Sequence, residues 1–217
     1  MNKKNKPTNQ KEMSFIEKAR RAQIVECAIE TIAEVGYSQA SLGQIAKRAK
    51  ISKGVISYHF ANKEELLEQI TIEYYIAWQL YIAPRIEAQK SPKEMLRVYI
   101  ESNLAFVAEN RQHVFAVIEL VSKTITADGK LQFAADHDKA ILLPIENILV
   151  LGMQEGVFRE FTKPSARVMA LTIRNAIDGF TMELMRKPHL DVQEYMRELV
   201  TIFDISTRKQ GVVTLEG

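Results

Sequence analysis

Residues 41–63 read SLGQIAKRAKISKGVISYHFANK, and this stretch decides the fold. Ser41 is a helix-capping residue type, whose hydroxyl accepts from a backbone N–H of the first turn. Apolar side chains follow at Leu42, Ile45, Ala46 and Ala49, the spacing of one helical side. Lys50-Ile51-Ser52 interrupts the run. A second short helix is predicted over residues 53–60, with Ile51, Val55, Ile56 and Phe60 turned back onto the first and Ala46 small enough to let the two cross closely. The polar side of this second helix carries Lys53, Ser57, Tyr58 and His59, and Gly54 leaves its backbone approachable. A rod presented in this way fits a DNA major groove, about 12 Å wide. Asn62 then caps a third element, whose first N–H groups, at Lys63 and Glu64, form a natural phosphate seat.

Upstream, Ile16, Ala19, Ile24, Cys27, Ala28, Ile32 and Val35 recur at helical spacing until Gly36 stops the helix. Residues 1–14 are polar and lysine-rich and read as a flexible basic arm. Downstream, a long helix is predicted from Lys63 to about Ile82, to be bent or ended by Pro84. Further helices are expected at about 92–109, 111–126, 132–156, 164–187 and 192–207, punctuated by Gly129, Gly156, Pro164 and Pro188. No stretch alternates with period two, so the expected class is all-α. A three-helix helix-turn-helix domain at 15–62 precedes a larger helical-bundle domain at 63–208 for ligand binding and dimerisation, and 209–217 form a tail.

Charge divides along the same line. The chain of 217 residues has a net charge of only +2. Residues 1–63 hold twelve Lys or Arg against five Glu, a net +7, and the remainder hold seventeen against twenty-two, a net −5. Such asymmetry suggests that the basic end meets a polyanion. Hydrophobic residues make up 47% and charged residues 26%, an ordinary globular balance. One cysteine, Cys27, excludes an internal disulfide framework and reads as a small buried side chain. There is no apolar run of roughly 18 residues and no secretory signal, so a cytoplasmic protein without membrane contact is expected. No phosphate loop, metal-ligand spacing or nucleophile motif is found. Neither an enzyme nor a cofactor or metal site is expected, and Asp136-His137-Asp138 reads as a solvated helix start.

The segment resembles the tetracycline-repressor (TetR) family of regulators. The residues that carry the resemblance are AIETIAEVG at 28–36 with Tyr37, then Ser41, Ile45-Ala46, Ala49, Ser52-Lys53-Gly54, Ile56, Tyr58-His59-Phe60 and Lys63-Glu64-Glu65-Leu66. The likeness covers about residues 20–70. Beyond them only helix count and length are consistent with it. It implies a homodimeric repressor that binds a near-palindromic double-stranded DNA operator and is released by a small-molecule effector. The implied DNA-binding residues are Ser41, Lys50, Lys53, Gly54, Val55, Ser57, Tyr58, His59 and Lys63. Of these, Tyr58, His59 and Lys63 would hold the phosphate backbone, and Lys53, Val55 and Ser57 would meet base edges. The turn position often occupied by glycine is Lys50 here, at a cost of roughly 1–2 kcal/mol if its backbone is left-handed. Gly43 interrupts the preceding helix, costing up to about 1 kcal/mol.

The second domain is read from composition. VFAVIELVSKTI at 114–125 and ILLPIENILVLGM at 141–153 are apolar around most of the helix, so they are buried or line a cavity. The candidate effector contacts are Trp78, Phe106, Phe115, Glu119, Met153 and Asn175. Glu119 either meets a cationic ligand or pairs with Lys123, and Arg174 with Asp178 reads as a second i,i+4 pair. An amphipathic cation is the first expectation for the effector, an acyl or lipid-like molecule the second. The dimer interface is expected along Ala166, Ala170, Ile173, Ile177 and Thr181 and along Tyr195, Leu199 and Phe203. Two recognition helices would then meet major grooves roughly 34–36 Å apart. The competing reading is a helical ligand-binding or interaction protein without operator-specific DNA binding, and repressor against activator stays open.

Overall fold

Short polar side chains open the helices of the N-terminal unit, as the sequence demands. In the computed structural model, which describes residues 14–123 and 141–209 (side chains of 121–123 excepted), Ser14 starts α1 (Phe15–Val35). Its hydroxyl accepts from Glu17 N while Glu17 reaches back to Ser14 N at 2.7 Å, a capping box. Ser41 and Gln44 repeat the arrangement at α2 (Leu42–Arg48), and Ser52 caps α3 (Lys53–His59). Ile24, Ala28 and Ile32 of α1, Ile45 and Ala46 of α2, and Ile56 of α3 are all buried, with Phe60 and Leu66 beside them. Arg48 ties α2 to α1 by ion pairs to Glu30 and Glu34.

The turn between α2 and α3 carries the strain that the sequence forecast. Lys50 has φ of 54°, among the described residues the one non-glycine with a left-handed backbone. The conformation closes a Schellman motif, with Ile51 N donating to Ala46 O at 3.0 Å and Lys50 N to Lys47 O at 3.2 Å.

The chain divides into two compact units, Met1–Ile70 and Thr71–Gly217. The division falls within α4 (Lys63–Glu87), which runs through Pro84 instead of ending near Ile82. Proline removes the N–H that would bond the Leu80 carbonyl. The break is confined to one turn, because Leu80 is exposed and the neighbouring Tyr81 carbonyl takes a hydrogen bond from the Arg85 guanidinium, which also lies over the Tyr81 ring.

In the second unit α5 (Pro92–Glu109) is the central element, packed against α7 (Leu143–Gln154), α8 (Lys163–Arg186) and α9 (Val192–Thr207), with α6 (Arg111–Lys123) following it. The core is built from Leu96, Tyr99, Ile100 and Leu104 of α5, Ile145 and Leu149 of α7, Ile173, Ile177 and Phe180 of α8 and Phe203 of α9. After α7 the Phe158 ring folds back onto Gly152 so closely that a Cβ there would lie 2.1 Å from it. No strand occurs among the described residues, only an isolated bridge between Phe158 and Arg208. The predicted helix start near 132 and the Asp136-His137-Asp138 cluster lie outside the described residues, as do the arm at 1–13 and the tail at 210–217.

One expectation is reversed. Ala166, Ala170, Ile173, Ile177 and Thr181 are each at most 3% exposed, and Leu199 and Phe203 are also buried. They form the face that α8 and α9 turn into their own unit, with Tyr195 half-buried against Phe180. A stripe of apolar residues at helical spacing marks a buried face, and its own chain has claimed this one. The opposite face of α8 carries Val168, Leu171, Asn175, Asp178, Met182 and Met185, all exposed, at alternating three- and four-residue steps. Ile202 and Ile205 of α9 are 55% and 63% exposed.

Candidate functional site

The first candidate surface is the outer side of α3. Lys53, Gly54 and Ser57 are exposed, Tyr58 is 73% exposed, and Val55 and His59 are half-buried. Ile56 and Phe60, on the opposite side, are sealed in the core. The polar residues therefore share one solvent-facing side of the helix. Tyr58 is not free in direction. Its hydroxyl donates to Glu17 Oε1 at 3.1 Å and its ring meets the His59 ring edge-on at 5.0 Å. The bond raises the Tyr58 pKa, and bonds from Ser14 and then Tyr58 lower that of Glu17. Arg21, not singled out in the sequence, fixes the far end of α3: its guanidinium donates to the His59 carbonyl, lies 4.1 Å over the Phe60 ring and approaches Glu65 at 3.7 Å.

Ser41 is exposed beside its cap, and Lys50 is exposed at the turn. Lys63 differs from expectation. Its ammonium donates to the carbonyls of Ala40 (2.5 Å) and Tyr37 (3.2 Å) and sits 4.7 Å over the Tyr37 ring, where the sequence suggested a cation free for phosphate. Two carbonyls and a ring face thus converge on a half-buried lysine. Gly43 gains a reason as well. The Lys53 stem crosses it, and a Cβ at Gly43 would stand 2.8 Å from Lys53 Cε.

The second candidate is a cavity of about 300 Å³ inside the second unit. One pole is polar: Tyr74, Tyr75 and Trp78 of α4, Asn103 of α5, and Arg174 and Asp178 of α8. The rest is apolar, with Val107, Val114, Val117, Ile118, Ile141, Ile177 and Met182 on the wall. Trp78 Nε1 donates to Asn103 Oδ1 at 2.9 Å, and Asn103 Nδ2 donates to the Tyr99 carbonyl at 2.8 Å. Arg174 grips Asp178 with two bonds, Nη2 to Oδ1 at 2.5 Å and Nε to Oδ2 at 3.2 Å. Burial works against its charge, but Asp178, Tyr99 and Tyr74 more than offset this and hold the guanidinium above its ordinary pKa. Burial pushes Tyr74 up to about 12 and raises Tyr75 and Tyr99, so all three hydroxyls stay protonated near neutral pH.

Of the six predicted effector residues, only Trp78 lies on this wall. Phe106 packs its ring edge-on to Tyr74 and tilted against Tyr81. Phe115 is packed against the core, Met153 accepts from Phe161 N through its sulfur, and Asn175 is exposed on the outer face of α8. Glu119 is half-buried away from the cavity lining, and the Lys123 side chain lies outside the described residues. Aromatic and methionine content marks a packed interior without saying which members border a void. Arg174 and Asp178 were legible as a pair, but their place on a cavity was not.

These geometries can be set beside known proteins. The sequence profile described as "Bacterial regulatory proteins, tetR family" matches residues 24–70. Over those residues the N-terminal unit is similar to the tetR family of bacterial regulatory proteins. The HTH-type transcriptional regulator BetI 1 of Chromohalobacter salexigens is 39% identical over 87 residues, covering 39% of this chain and 42% of that one. BetI of Burkholderia cenocepacia is 34% identical over 86 residues, covering 39% and 44%. The chain thus matches less than half the length of these curated relatives. Over a longer span, the crystal structure of the transcriptional regulator FadR from Bacillus subtilis in complex with stearoyl-CoA superposes with a TM-score of 0.72 at 25% identity, covering 83% of this chain and 96% of that one. The matched residues 24–70 include α3, and none of the residues lining the cavity falls within them.

Proposed function

We propose that this chain is a ligand-responsive, DNA-binding transcriptional regulator. It acts as a homodimer on a near-palindromic operator and works as a repressor released by a small amphipathic effector. The observation that carries the reading is the outer side of α3, where Lys53, Gly54, Ser57 and Tyr58 stand exposed over a sealed apolar underside. The net +7 of residues 1–63 supports it, since phosphate neutralisation supplies most of the affinity in such complexes. The relatives are regulators by name, and the FadR structure holds an acyl-CoA. Both favour regulation over catalysis, and no enzymatic role is proposed. Contact with chromosomal operators implies the cytoplasm. Among the described residues no helix is long and apolar enough to cross a membrane.

Lys53, Val55 and Ser57 are assigned to base edges. Ser41, Lys50, Tyr58 and His59 are assigned to the phosphate backbone, and Gly54 to close approach. The dimer is assigned to the outer face of α8, from Val168 through Leu171 to Met182 and Met185, with Ile202 and Ile205 of α9. Heptad-like steps on an exposed helix face make a seam that a second copy covers.

The test is binding of the purified protein to its own upstream intergenic DNA and to random DNA of equal length, across a salt series. Tight specific binding that weakens steeply with salt supports the reading. Equal weak binding to both at every salt concentration refutes it in favour of a helical ligand-binding protein without operator recognition.

A further inference from the structure

We infer that the cavity takes an amphipathic carboxylate, whose oxyanion replaces Asp178 on the buried Arg174 guanidinium while its apolar body lies along the valine and isoleucine wall. The inference rests on the regulatory reading above for its biological meaning, but its chemistry stands on the cavity alone.

Among the described residues the polar pole contains one anion and one cation, and the two are not equally fixed. The Arg174 side chain is 17% exposed and that of Asp178 50% exposed. Among the described residues Asp178 is the ion-pair partner of Arg174. The guanidinium is therefore the permanent charge of the cavity, and the carboxylate is the member that can turn outward. A buried cation stripped of its partner costs several kcal/mol, so any ligand that moves Asp178 must bring its own negative charge. A cationic ligand meets the opposite situation. Among the described residues the one carboxylate on the wall is already paired with Arg174, and Glu119 does not line the cavity. The cation expected from the sequence is thereby disfavoured.

The remaining polar groups point the same way. Tyr99, 1% exposed, does not itself line the cavity, but its hydroxyl interacts with Arg174 and Asn103, which do. It stands one helical turn before Asn103 on α5 and within electrostatic reach of Arg174. The Tyr74 and Tyr75 hydroxyls, protonated at neutral pH, supply further donors on the same pole. A donor-rich pole around a fixed guanidinium is an oxyanion site. A volume of about 300 Å³ limits the ligand to a medium-length chain or a small ring system.

The chain has a single tryptophan, and it lies on this wall. Trp78 fluorescence of the full-length protein, titrated below micellar concentrations with decanoate, decan-2-one and decyltrimethylammonium, therefore reads the cavity without DNA. Decanoate is expected to bind roughly tenfold or more tighter than either tail-matched compound, the scale of one charge-assisted hydrogen bond. Asp178→Asn, which removes the competing anion, is expected to tighten decanoate several-fold. Arg174→Met is expected to abolish the preference for decanoate, with retention of fold checked by circular dichroism. Tighter binding of the ammonium or the ketone overturns the inference, and so does weaker decanoate binding by the Asp178→Asn variant or no response to any of the three. DNA binding by the same preparation is measured separately. Its absence would refute the regulatory reading and leave the ligand result standing.

Discussion

Replacing Lys50 by glycine is expected to make the protein more stable and its DNA complex weaker. Lys50 holds φ of 54° at the position after α2, closing two hydrogen bonds of a Schellman motif through backbone atoms alone. A side chain in that conformation costs roughly 1–2 kcal/mol, which glycine relieves. Glycine also gains freedom in the unfolded chain, which returns about 0.4–1 kcal/mol of the benefit. The net gain is about 0.5–1 kcal/mol, a rise of roughly 1–4 °C in Tm for a chain of this size. Nothing else about Lys50 opposes it, since the residue is exposed. Differential scanning calorimetry gives the first number. Fluorescence anisotropy with operator DNA across a salt series gives the second, where loss of one phosphate contact lowers the salt slope by about one unit. A fall in Tm would refute the strain argument. An unchanged slope would refute the phosphate contact and leave the strain argument intact.

Other outcomes follow from single contacts. Gly43→Ala should raise Tm, by up to about 1 kcal/mol of helix propensity, yet lower operator affinity, because its Cβ displaces the Lys53 stem now 2.8 Å away; unchanged affinity would remove Lys53 from the interface. Tyr58→Ala should weaken binding to all sequences alike, and a change only in preferred bases, read by competition with operator variants, would contradict its backbone role. Leu171→Glu, on the outer face of α8, should give a monomer by light scattering with intact helicity, and a persistent dimer would place the interface elsewhere. Asp204 is held below its ordinary pKa by hydrogen bonds from Lys93 and Arg208. It therefore adds stability that is present above the unfolded value of about 3.9 and lost as pH falls through the lower folded value. The stability difference between the native protein and Asp204→Asn should shrink toward pH 2 in urea titrations, and a pH-independent difference would exclude the linkage.

Much of this protein is decided locally. The capping residues Ser14, Ser41 and Ser52, the break at 50–52 and the three- and four-residue spacing of Ile45, Ala46, Ile56 and Phe60 specify a helix-turn-helix wherever the chain folds. Caps and turns are satisfied by atoms within a few residues, and a short unit leaves few ways to bury one apolar side, so Tyr58 and Lys53 were legible as outward-facing. Even the strain at Lys50 was visible in advance. The bounds of α5 and α9 follow from the same rules, with Pro92 at a helix start and a break at each end.

Contacts between distant residues escape such reading. Periodicity says that a helix has an apolar stripe but not which neighbour covers it, so Ala166 through Thr181 suited the dimer until α5 and α7 were seen to occupy that face. The converse holds for Val168, Leu171, Met182 and Met185, whose exposure appears only when their own unit leaves them uncovered. A cavity is defined by the atoms missing among α4, α5, α6 and α8, and no residue encodes an absence. That is why Phe106, Phe115 and Met153 proved to be packing while Asn103, Arg174 and Asp178 surround the void. Lys63 shows the same limit on a smaller scale: its charge is local, but the carbonyls of Tyr37 and Ala40 that hold it arrive from 26 and 23 residues away.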